Sequence, residues 1–482
     1  MPRIKTVSLG SAVLFSLCIF IVLLRGVPAH ASEGDNLLER LGAALPVWSV
    51  VPFLGILFSI ALFPLFAPHW WHRHFAKVAA FWAVLFAAPF LVVLRGDAIL
   101  GILHTYLLEY IPFIILLWAL FTIAGGIHVR GTLRGTPGLN VTLILIGTII
   151  ASWVGTTGAS MILIRPLLRA NEWRRHKVHT VVFFIFLVSN IGGSLTPLGD
   201  PPLFLGFLHG VPFFWTMRLL PAMVFVSLPL LALYYLLDRL YYRKEEKPEH
   251  TESVPFRIEG LHNIVLLLGV VGAVLMSGMW HVGEVSVWGV QVTIEGMVRD
   301  LILLLLGIVS WRLTDSAIHR ANGFSWFPIK EVAYLFAGIF MTIIPAIAIL
   351  NAGEEGEFGF IIKGLQTPQH YFWITGGLSS FLDNAPSYLT LFNSALGKFF
   401  TGIPLLESVP MLIEQHATFL FGISTGAVFF GALTYIGNAP NFMVRSIAEE
   451  SGIKMPSFFG YMFRYSIPFL LPLFFLVALV FF

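Results

Sequence analysis

Charged side chains are scarce in this sequence, and their scarcity excludes a soluble globular protein. Only 11% of the 482 residues are Asp, Glu, Lys or Arg and 57% are hydrophobic, whereas soluble domains carry about 25% charged residues. Runs such as 264–276 and 470–482 are apolar on every face, so they lack the alternation of membrane β-barrel strands. The sequence therefore predicts an all-α polytopic membrane protein in contact with membrane lipids. Its net charge of +3 does not indicate a nucleic-acid partner.

Cysteine is almost absent. Cys18 is the single cysteine, and it lies in segment 1–31, which has the order of a secretory signal peptide: positive charges, an apolar stretch over 12–24, and Ala29-His30-Ala31 as a small-x-small cleavage site. If this segment is cleaved, the mature chain has no thiol, which excludes disulfides, thiolate catalysis and cysteine metal sites. The alternative is an uncleaved first transmembrane helix.

Motifs of nucleotide and zinc chemistry are also missing. Gly397-Lys398 is followed by Phe399 rather than by the Ser or Thr of a phosphate-binding loop, and no His-Glu-x-x-His run occurs. We therefore expect neither an enzyme nor, unless a separate subunit supplies the ATPase, an ATP-driven pump. No cofactor is expected apart from the transported ions themselves.

The apolar segments predict the order of the membrane crossings and a division into two halves. A charged linker at 243–260, which we expect to be a solvated cytoplasmic connector, separates a first half at 32–242 from a second half at 261–482. A crossing needs about 20 apolar residues. The crossings are predicted near 47–67, 78–95, 99–126, 178–198, 212–241, 261–279, 297–311, 331–351, 415–437 and 457–481, with two interrupted segments at 139–168 and 371–400.

Loop charge predicts the orientation, because Lys and Arg concentrate on the cytoplasmic side of short loops. With the chain after the signal segment starting outside, the predicted loop at 69–74 and the basic clusters at 130–134 and 165–177 all fall on the cytoplasmic side. This holds only if 139–168 enters and leaves the membrane on one face.

Both interrupted segments are therefore predicted to be re-entrant hairpins. In the first, Gly155, Gly158 and Pro166 are expected to break the helix. By the same parity the second hairpin, 371–400, enters from the opposite face. Two hairpins of opposed entry indicate an inverted repeat.

A sequence match between the halves supports this repeat. Residues 193–202 align with 431–440, with Gly, Leu, Thr, Gly and Pro identical and Asp200 opposite Asn438. A weaker match sets 156–160 against 383–387, where the serine alone is identical. In each half the hairpin precedes the Gly-x-Leu-Thr motif, so the order of the parts agrees as well.

Broken helices in hydrocarbon expose backbone groups that cost several kcal/mol each unless they are paired or bind a ligand. An Asp within a membrane segment costs about 2.5–3.5 kcal/mol on insertion scales and usually has a function. We therefore take Asp383 first and Asp200 second as candidate Na⁺ ligands, although either could simply cap a helix or form a turn. The other candidate ion-binding residues are oxygen donors: Thr156, Thr157, Ser160, Asn190, Thr196, Asn384, Ser387, Thr434 and Asn438.

At these motifs the chain resembles the ion transporter superfamily, in particular its NhaD-type sodium/proton antiporters and the related citrate transporters. The resemblance rests on Gly155 to Ser160 followed by Arg165-Pro166, on 190–202, and on 382–386. It implies a scaffold, a mobile transport domain with elevator-like motion, usually a homodimer, and substrate sites at the hairpin tips. The dicarboxylate branch has Ser-Asn-Thr at both tips, and this chain departs from that pattern.

Three functions remain open at this point. In a sodium/proton antiporter of the bacterial cytoplasmic (inner) membrane, Asp383, with Asp200, would bind either a proton or Na⁺ and so enforce exchange. In a cation-coupled citrate or dicarboxylate carrier, the hairpin N-termini would hold the anion, but a fixed carboxylate would repel it. Broken helices also form channel filters. The inverted repeat favours a carrier, and the fixed carboxylate favours cation exchange.

The opposed entry of the hairpins is testable by labelling. We expect a cysteine introduced at the tip of 139–168 and one at the tip of 371–400 to react with membrane-impermeant maleimides in different states of the transporter, from opposite sides of the membrane. If both tips react from one side in every state, the inverted arrangement is wrong.

Overall fold

The computed structural model describes residues 45–131, 133–246 and 255–482. The predicted signal segment, 1–31, lies outside the described residues. Within the described part, eight helices are long and apolar enough to cross a membrane, or up to ten if each of two bent pairs is one span. The prediction of an all-α polytopic membrane protein is confirmed.

The first half contains nine α-helices. A π-helical turn, Tyr106–Tyr110, joins the third to the fourth, and a 3-10 turn, Ile191–Leu195, follows the seventh. Further 3-10 turns, Val47–Val50 and Phe213–Leu219, precede the first and the ninth. Helices α1 to α9 are Val51–Phe66, Pro68–Leu94, Gly96–Thr105, Ile111–Gly125, Pro137–Val154, Thr156–Ala170, Val178–Leu187, Pro201–Leu208 and Leu220–Tyr242.

The second half contains thirteen more helices, including a helix before the tenth predicted crossing region that the sequence analysis missed. Helices α10 to α22 are His262–Met279, Ile294–Leu313, Ser316–Ala321, Phe327–Thr342, Ile344–Asn351, Gly359–Gly364, Pro368–Phe381, Asn384–Phe399, Leu405–Gln415, Ala417–Phe430, Ala439–Glu450, Phe458–Tyr461 and Ile467–Phe481. The missed helix, α18, meets α19 at 96°, and α13 meets α14 at 42°. Turns Gly353–Glu355, Gly431–Leu433 and Met462–Ser466 complete this half.

Helices α1 and α2 form a tight hairpin. Ala67 alone separates them, and the indole N–H of Trp82 donates to the hydroxyl of Ser59 at 3.0 Å. Pro68 occupies the first helical position of α2, where its missing N–H costs nothing. The predicted loop at 69–74 is therefore wrong, because these residues form the start of α2.

The predicted break in 139–168 occurs at one residue. Gly155, with a φ of +79°, separates α5 from α6, a conformation that glycine adopts without strain. Gly158 and Pro166 lie inside α6, so their prediction as breaks is wrong. In 371–400 the break falls at Leu382 and Asp383, between α16 and α17. The membrane face from which each hairpin enters stays a prediction.

Helix α7 lies at the centre of the molecule. Every residue from His179 to Leu187 is buried. Close packing elsewhere in the centre depends on glycine: a Cβ at Gly376 would lie 2.5 Å from the Phe430 ring, and one at Gly426 would lie 2.6 Å from the carbonyl oxygen of Phe372. These two glycines allow the backbones of α16 and α19 to approach closely, as small residues do in membrane helix pairs.

A buried ion pair joins the first hairpin to α9. The guanidinium of Arg174 donates to Asp238 at 2.6 Å, and both side chains are fully buried. His179 of α7 and Asn140 of α5 also contact this carboxylate, at 2.8 and 3.1 Å. Since each polar group has a charged or hydrogen-bonding partner, the network connects three helices without leaving the aspartate unpaired.

The linker is less free than predicted. Glu245 is buried and accepts hydrogen bonds from the backbone N–H groups of Arg175 and His176 at 2.9 and 2.8 Å. Burial acts to raise the pKa of Glu245, but these donors and the His176 ring outweigh it, so its pKa lies below the ordinary value. The expectation of a solvated connector is therefore wrong for this end of the linker.

Two small antiparallel sheets complete the fold. Strand β1, His128–Arg130, pairs with β2, Arg257–Glu259, so the far end of the linker is attached to the end of α4. Strand β3, Glu284–Val287, pairs with β4, Val290–Thr293, with Val285 opposite Val292. Trp288 and Gly289 both have positive φ, as a two-residue hairpin turn requires.

We expect Asp238→Ala to lower the free energy of unfolding by about 3–5 kcal/mol, because the buried guanidinium of Arg174 would lose its counter-ion. Asp315→Ala is the matched control: this exposed aspartate caps α12 through the N–H of Ala317 at 2.8 Å, and its loss should cost about 1 kcal/mol. Unfolding in detergent measures both. Equal losses would contradict a stabilising role for the buried pair.

Candidate functional site

The aligned motifs of the two halves have the same backbone conformation. Thr196 and Thr434 are extended, with φ, ψ of −141°, 160° and −135°, 168°. Asp200 and Asn438 are also extended, at −144°, 141° and −154°, 141°, and each directly precedes a helix, α8 and α20 respectively. The sequence match at 193–202 and 431–440 therefore corresponds to two equivalent turns.

Each turn is bound to its hairpin by the same hydrogen bond. The hydroxyl of Thr196 donates to the carbonyl oxygen of Ser152 near the end of α5, and that of Thr434 donates to the carbonyl oxygen of Ser380 near the end of α16 at 2.5 Å. The last four carbonyls of a helix have no partner within it. The two threonines therefore satisfy buried helix ends, and each connects a broken helix to a hairpin.

Asp200 lies where the two halves meet. Its side chain is 1% exposed. One carboxylate oxygen accepts from the hydroxyl of Thr156 at 3.1 Å and the amide of Asn438 at 2.8 Å, and the other accepts from the amide of Asn384 at 2.5 Å. Both hairpins and both motifs thus contact a single buried carboxylate.

Four helix N-termini surround this carboxylate. Thr156 and Asn384, which contact it, are the first residues of α6 and α17, and α8 and α20 begin directly after Asp200 and Asn438. The N-terminal end of a helix carries partial positive charge and favours an anion. The arrangement therefore stabilises a charged carboxylate without a basic side chain beside it.

A cavity of about 810 Å³ adjoins Asp200. Its walls are largely apolar, with Phe113 and Phe336 among them, while Thr156, Thr157, Asp200, Asp383 and Asn438 supply polar groups. Among the described residues that line it, two are acidic and none is basic. The cavity is therefore suited to a cation rather than to an unaccompanied anion.

Asp383, the first candidate from sequence, lies at this cavity but outside the hydrogen bonds of Asp200. It is half-buried, and its carboxylate accepts from the N–H of Ala385 at 3.1 Å, as the N-cap of α17. The helix-cap alternative thus describes a contact that Asp383 makes. Asp200 has the more central and more buried position of the two.

The remaining predicted residues are distributed around the site. Thr157 lines the cavity. Ser160 and Ser189 have hydroxyl oxygens 2.9 Å apart, and Ser387 donates to the carbonyl of Asp383 at 3.0 Å. The amide of Asn190 donates to Asn441 at 2.7 Å. These side chains support neighbouring backbone and polar groups, and none of their printed contacts is to Asp200.

Asn441 is a central residue that the sequence analysis missed. Its amide donates to the carbonyl oxygens of Gly431 and Thr434 at 2.7 and 2.9 Å, inside the second turn. It follows Pro440, the last residue of the aligned motif, but the equivalent position in the first half is Leu203. The comparison of the halves therefore gave no signal for it.

Two amide oxygens near this centre have no hydrogen-bond partner among the described residues. They belong to Asn190 and Asn384, both fully buried. Buried amide oxygens are seldom left unpaired. Asn384 already donates its amide to Asp200, so its free oxygen is available to a bound cation close to that carboxylate.

The fold and the site define a polytopic helical membrane protein in which two broken helices meet at a buried carboxylate. The family model described as "Putative citrate transport" matches residues 42–482, and the chain belongs to this family. Two uncharacterized transporters, from Mycobacterium bovis and Mycobacterium tuberculosis, are each 26% identical to it over 339 residues, which cover 66% of this chain and 71% of each relative. The protein is a membrane transporter and not an enzyme.

We expect Thr196→Val and Thr434→Val each to lower the free energy of unfolding by about 1–3 kcal/mol, because each leaves a buried carbonyl without its donor. Thr390→Val is the control, since Thr390 is half-buried and bonds within its own helix to Pro386 at 2.8 Å; its loss should be smaller. Unfolding in detergent tests this. A negligible effect at either motif threonine would contradict its role as a helix-end partner.

Proposed function

We propose that this transporter exchanges Na⁺ for H⁺ and that Asp200 is the residue for which the two ions compete. The observation that carries the proposal is the buried carboxylate of Asp200, contacted from both halves and adjoining a cavity with no basic lining side chain. It accounts for a cation site deep in the membrane, between elements able to move relative to one another.

Competition at one carboxylate explains the coupling. When Asp200 is charged, its oxygens and the unpaired oxygen of Asn384 form a set of hard ligands suited to an alkali cation. When it takes up a proton, that charge disappears and Na⁺ loses its counter-ion. Since one carboxylate cannot hold both ions, Na⁺ leaves as H⁺ arrives. Asp383, on the wall of the same cavity, adds negative potential along the route of the cation.

Cation-coupled citrate or dicarboxylate transport is the second candidate, and the family description favours it. The four helix N-termini around Asp200 could hold a carboxylate substrate. Against it, two acidic side chains line the cavity and no basic one does, so an anion would have to enter with cations. We therefore place citrate transport second.

The same proposal includes the arrangement of the protein in the cell. The two equivalent turns support an inverted repeat with NhaD-like antiport, and the bacterial relatives support the cytoplasmic (inner) membrane as its location. The proposed assembly is a homodimer in lipid, with Na⁺ and H⁺ as the ions it carries and no further cofactor.

We expect Asp200→Asn to abolish Na⁺-driven proton movement in everted vesicles, measured with a pH-sensitive dye on addition of Na⁺, Li⁺, K⁺ or citrate. The amide keeps the size of the side chain but can neither take up the proton nor carry the charge. Asp383→Asn should reduce exchange, because it removes a charge from the cavity wall but leaves the shared carboxylate.

Asp315→Asn, on an exposed helix cap outside the cavity, is the control and should exchange at the wild-type rate. Normal exchange by Asp200→Asn would overturn the proposal. Labelled-citrate uptake into proteoliposomes without Na⁺/H⁺ exchange would instead support the second candidate.

A further inference from the structure

A second cavity, separate from the one at Asp200, contains its own titratable groups. It encloses about 670 Å³, and none of its lining residues also lines the first cavity. His104 and Glu109 come from α3 and the π-helical turn, and His209 comes from the end of α8. A buried acid and two histidines in one cavity require an explanation that the proposed antiport does not supply.

Glu109 is held in a position where it cannot easily avoid an interaction. Its side chain is 9% exposed, and one carboxylate oxygen lies 3.8 Å from Nε2 of His209. The other oxygen has no hydrogen-bond partner among the described residues. The turn that carries it is π-helical, a feature that frequently occurs at functional sites.

The turn around Glu109 is fixed to a neighbouring helix. The hydroxyls of Tyr106 and Tyr110 donate to the carbonyl oxygens of Ala337 and Ala333 in α13 at 2.6 and 3.0 Å. Glu109 therefore belongs to a part of the molecule bound to α13, whereas His209 belongs to α8. The contact between the two spans separate elements.

The hydrogen bonds of His209 show that the pair holds a proton. Nδ1 of His209 lies 2.8 Å from the carbonyl oxygen of Leu205, and a carbonyl can only accept, so Nδ1 carries hydrogen. Nε2 then faces the carboxylate either as a lone pair or as a second N–H. Two facing acceptors repel, so a proton resides on the imidazole or on the carboxyl group.

The position of His209 favours the charged arrangement. It follows the last residue of α8, and the C-terminal end of a helix stabilises a cation. An imidazolium facing a carboxylate is thus the expected state near neutral pH, and acidification adds a second proton to Glu109.

The groups that face this pair are few. His104, on α3, is the further titratable residue lining the cavity, and Tyr106 and Tyr110 flank Glu109 on its own turn. The lining residues from α14, α17 and α18 are apolar or neutral polar, Asn351 and Asn393 among them. Strand β4, which also contacts the turn, contains no charged residue.

Helix α8 joins this cavity to Asp200. Asp200 directly precedes the helix and His209 directly follows it, and eight helical residues span about 12 Å. A change in the contact between Glu109 and His209 would therefore act on one end of a short rigid helix whose other end begins at the carboxylate of the first cavity.

We propose that Glu109 and His209, with His104 beside them, form a second proton-binding site that links the protonation of the second cavity to the packing of α8. The site takes protons from the water in its own cavity and does not require the ion bound at Asp200. It connects the element fixed to α13 with the helix that begins at Asp200.

Infrared difference spectroscopy of the purified full-length protein during a pH titration tests this site without a transport assay. We expect acidification of the wild type to produce a carboxylic-acid C=O band that Glu109→Gln lacks. In His209→Gln the band should appear at a pH about one unit or more higher, because the carboxylate has lost its cationic partner. Asp200→Asn should retain this band.

His319→Gln is the matched control, since His319 is a buried histidine that lines neither cavity, and it should leave the band unchanged. Gel filtration of each variant verifies that it is folded, and His104→Gln gives a second, smaller shift if Glu109→Gln does not fold. Identical spectra for the wild type and Glu109→Gln, or an unchanged titration in His209→Gln, would overturn the proposal. Loss of exchange in Asp200→Asn with the band retained would show that the two sites are separate.

Discussion

A helix that stops inside a membrane must find partners within the protein for its unpaired backbone groups, because hydrocarbon offers none. Four helices end or begin at the centre of this transporter in each pair of hairpin and broken helix, and the constraint is met by short side chains. Thr196 and Thr434 donate to the orphan carbonyls of α5 and α16. Asp200 receives the donors that remain, from three different elements.

The same constraint explains why a carboxylate can lie there at all. A buried charge is costly unless it is paired or hydrogen-bonded, and no basic side chain lines the cavity beside Asp200. Helix N-termini and amide donors take the place of a counter-ion. Such donors stabilise the charge without neutralising it, so the carboxylate can still attract a cation, and this distinguishes it from the fully paired Asp238 of the Arg174 network.

The two titratable centres have different physical characters and a common helix between them. Asp200 is contacted by neutral donors from both halves, whereas Glu109 faces a histidine across a gap of 3.8 Å. The first arrangement suits an ion that comes and goes. The second suits a proton that changes how firmly α8 is held, because its two partners belong to separately anchored elements.

The sequence by itself determined the class of the protein, the breaks at Gly155 and Asp383, and the equivalence of the two motif turns. These follow from composition and from local backbone chemistry, which need no knowledge of the rest of the chain. It could not rank Asp200 above Asp383, because their environments depend on residues about 180 positions apart, as in the contact between Asn384 and Asp200. It also assigned 69–74 to a loop and overlooked Asn441 and the Glu109–His209 pair. Tertiary structure decided these points, since burial and the meeting of distant helices fix what each polar group contacts.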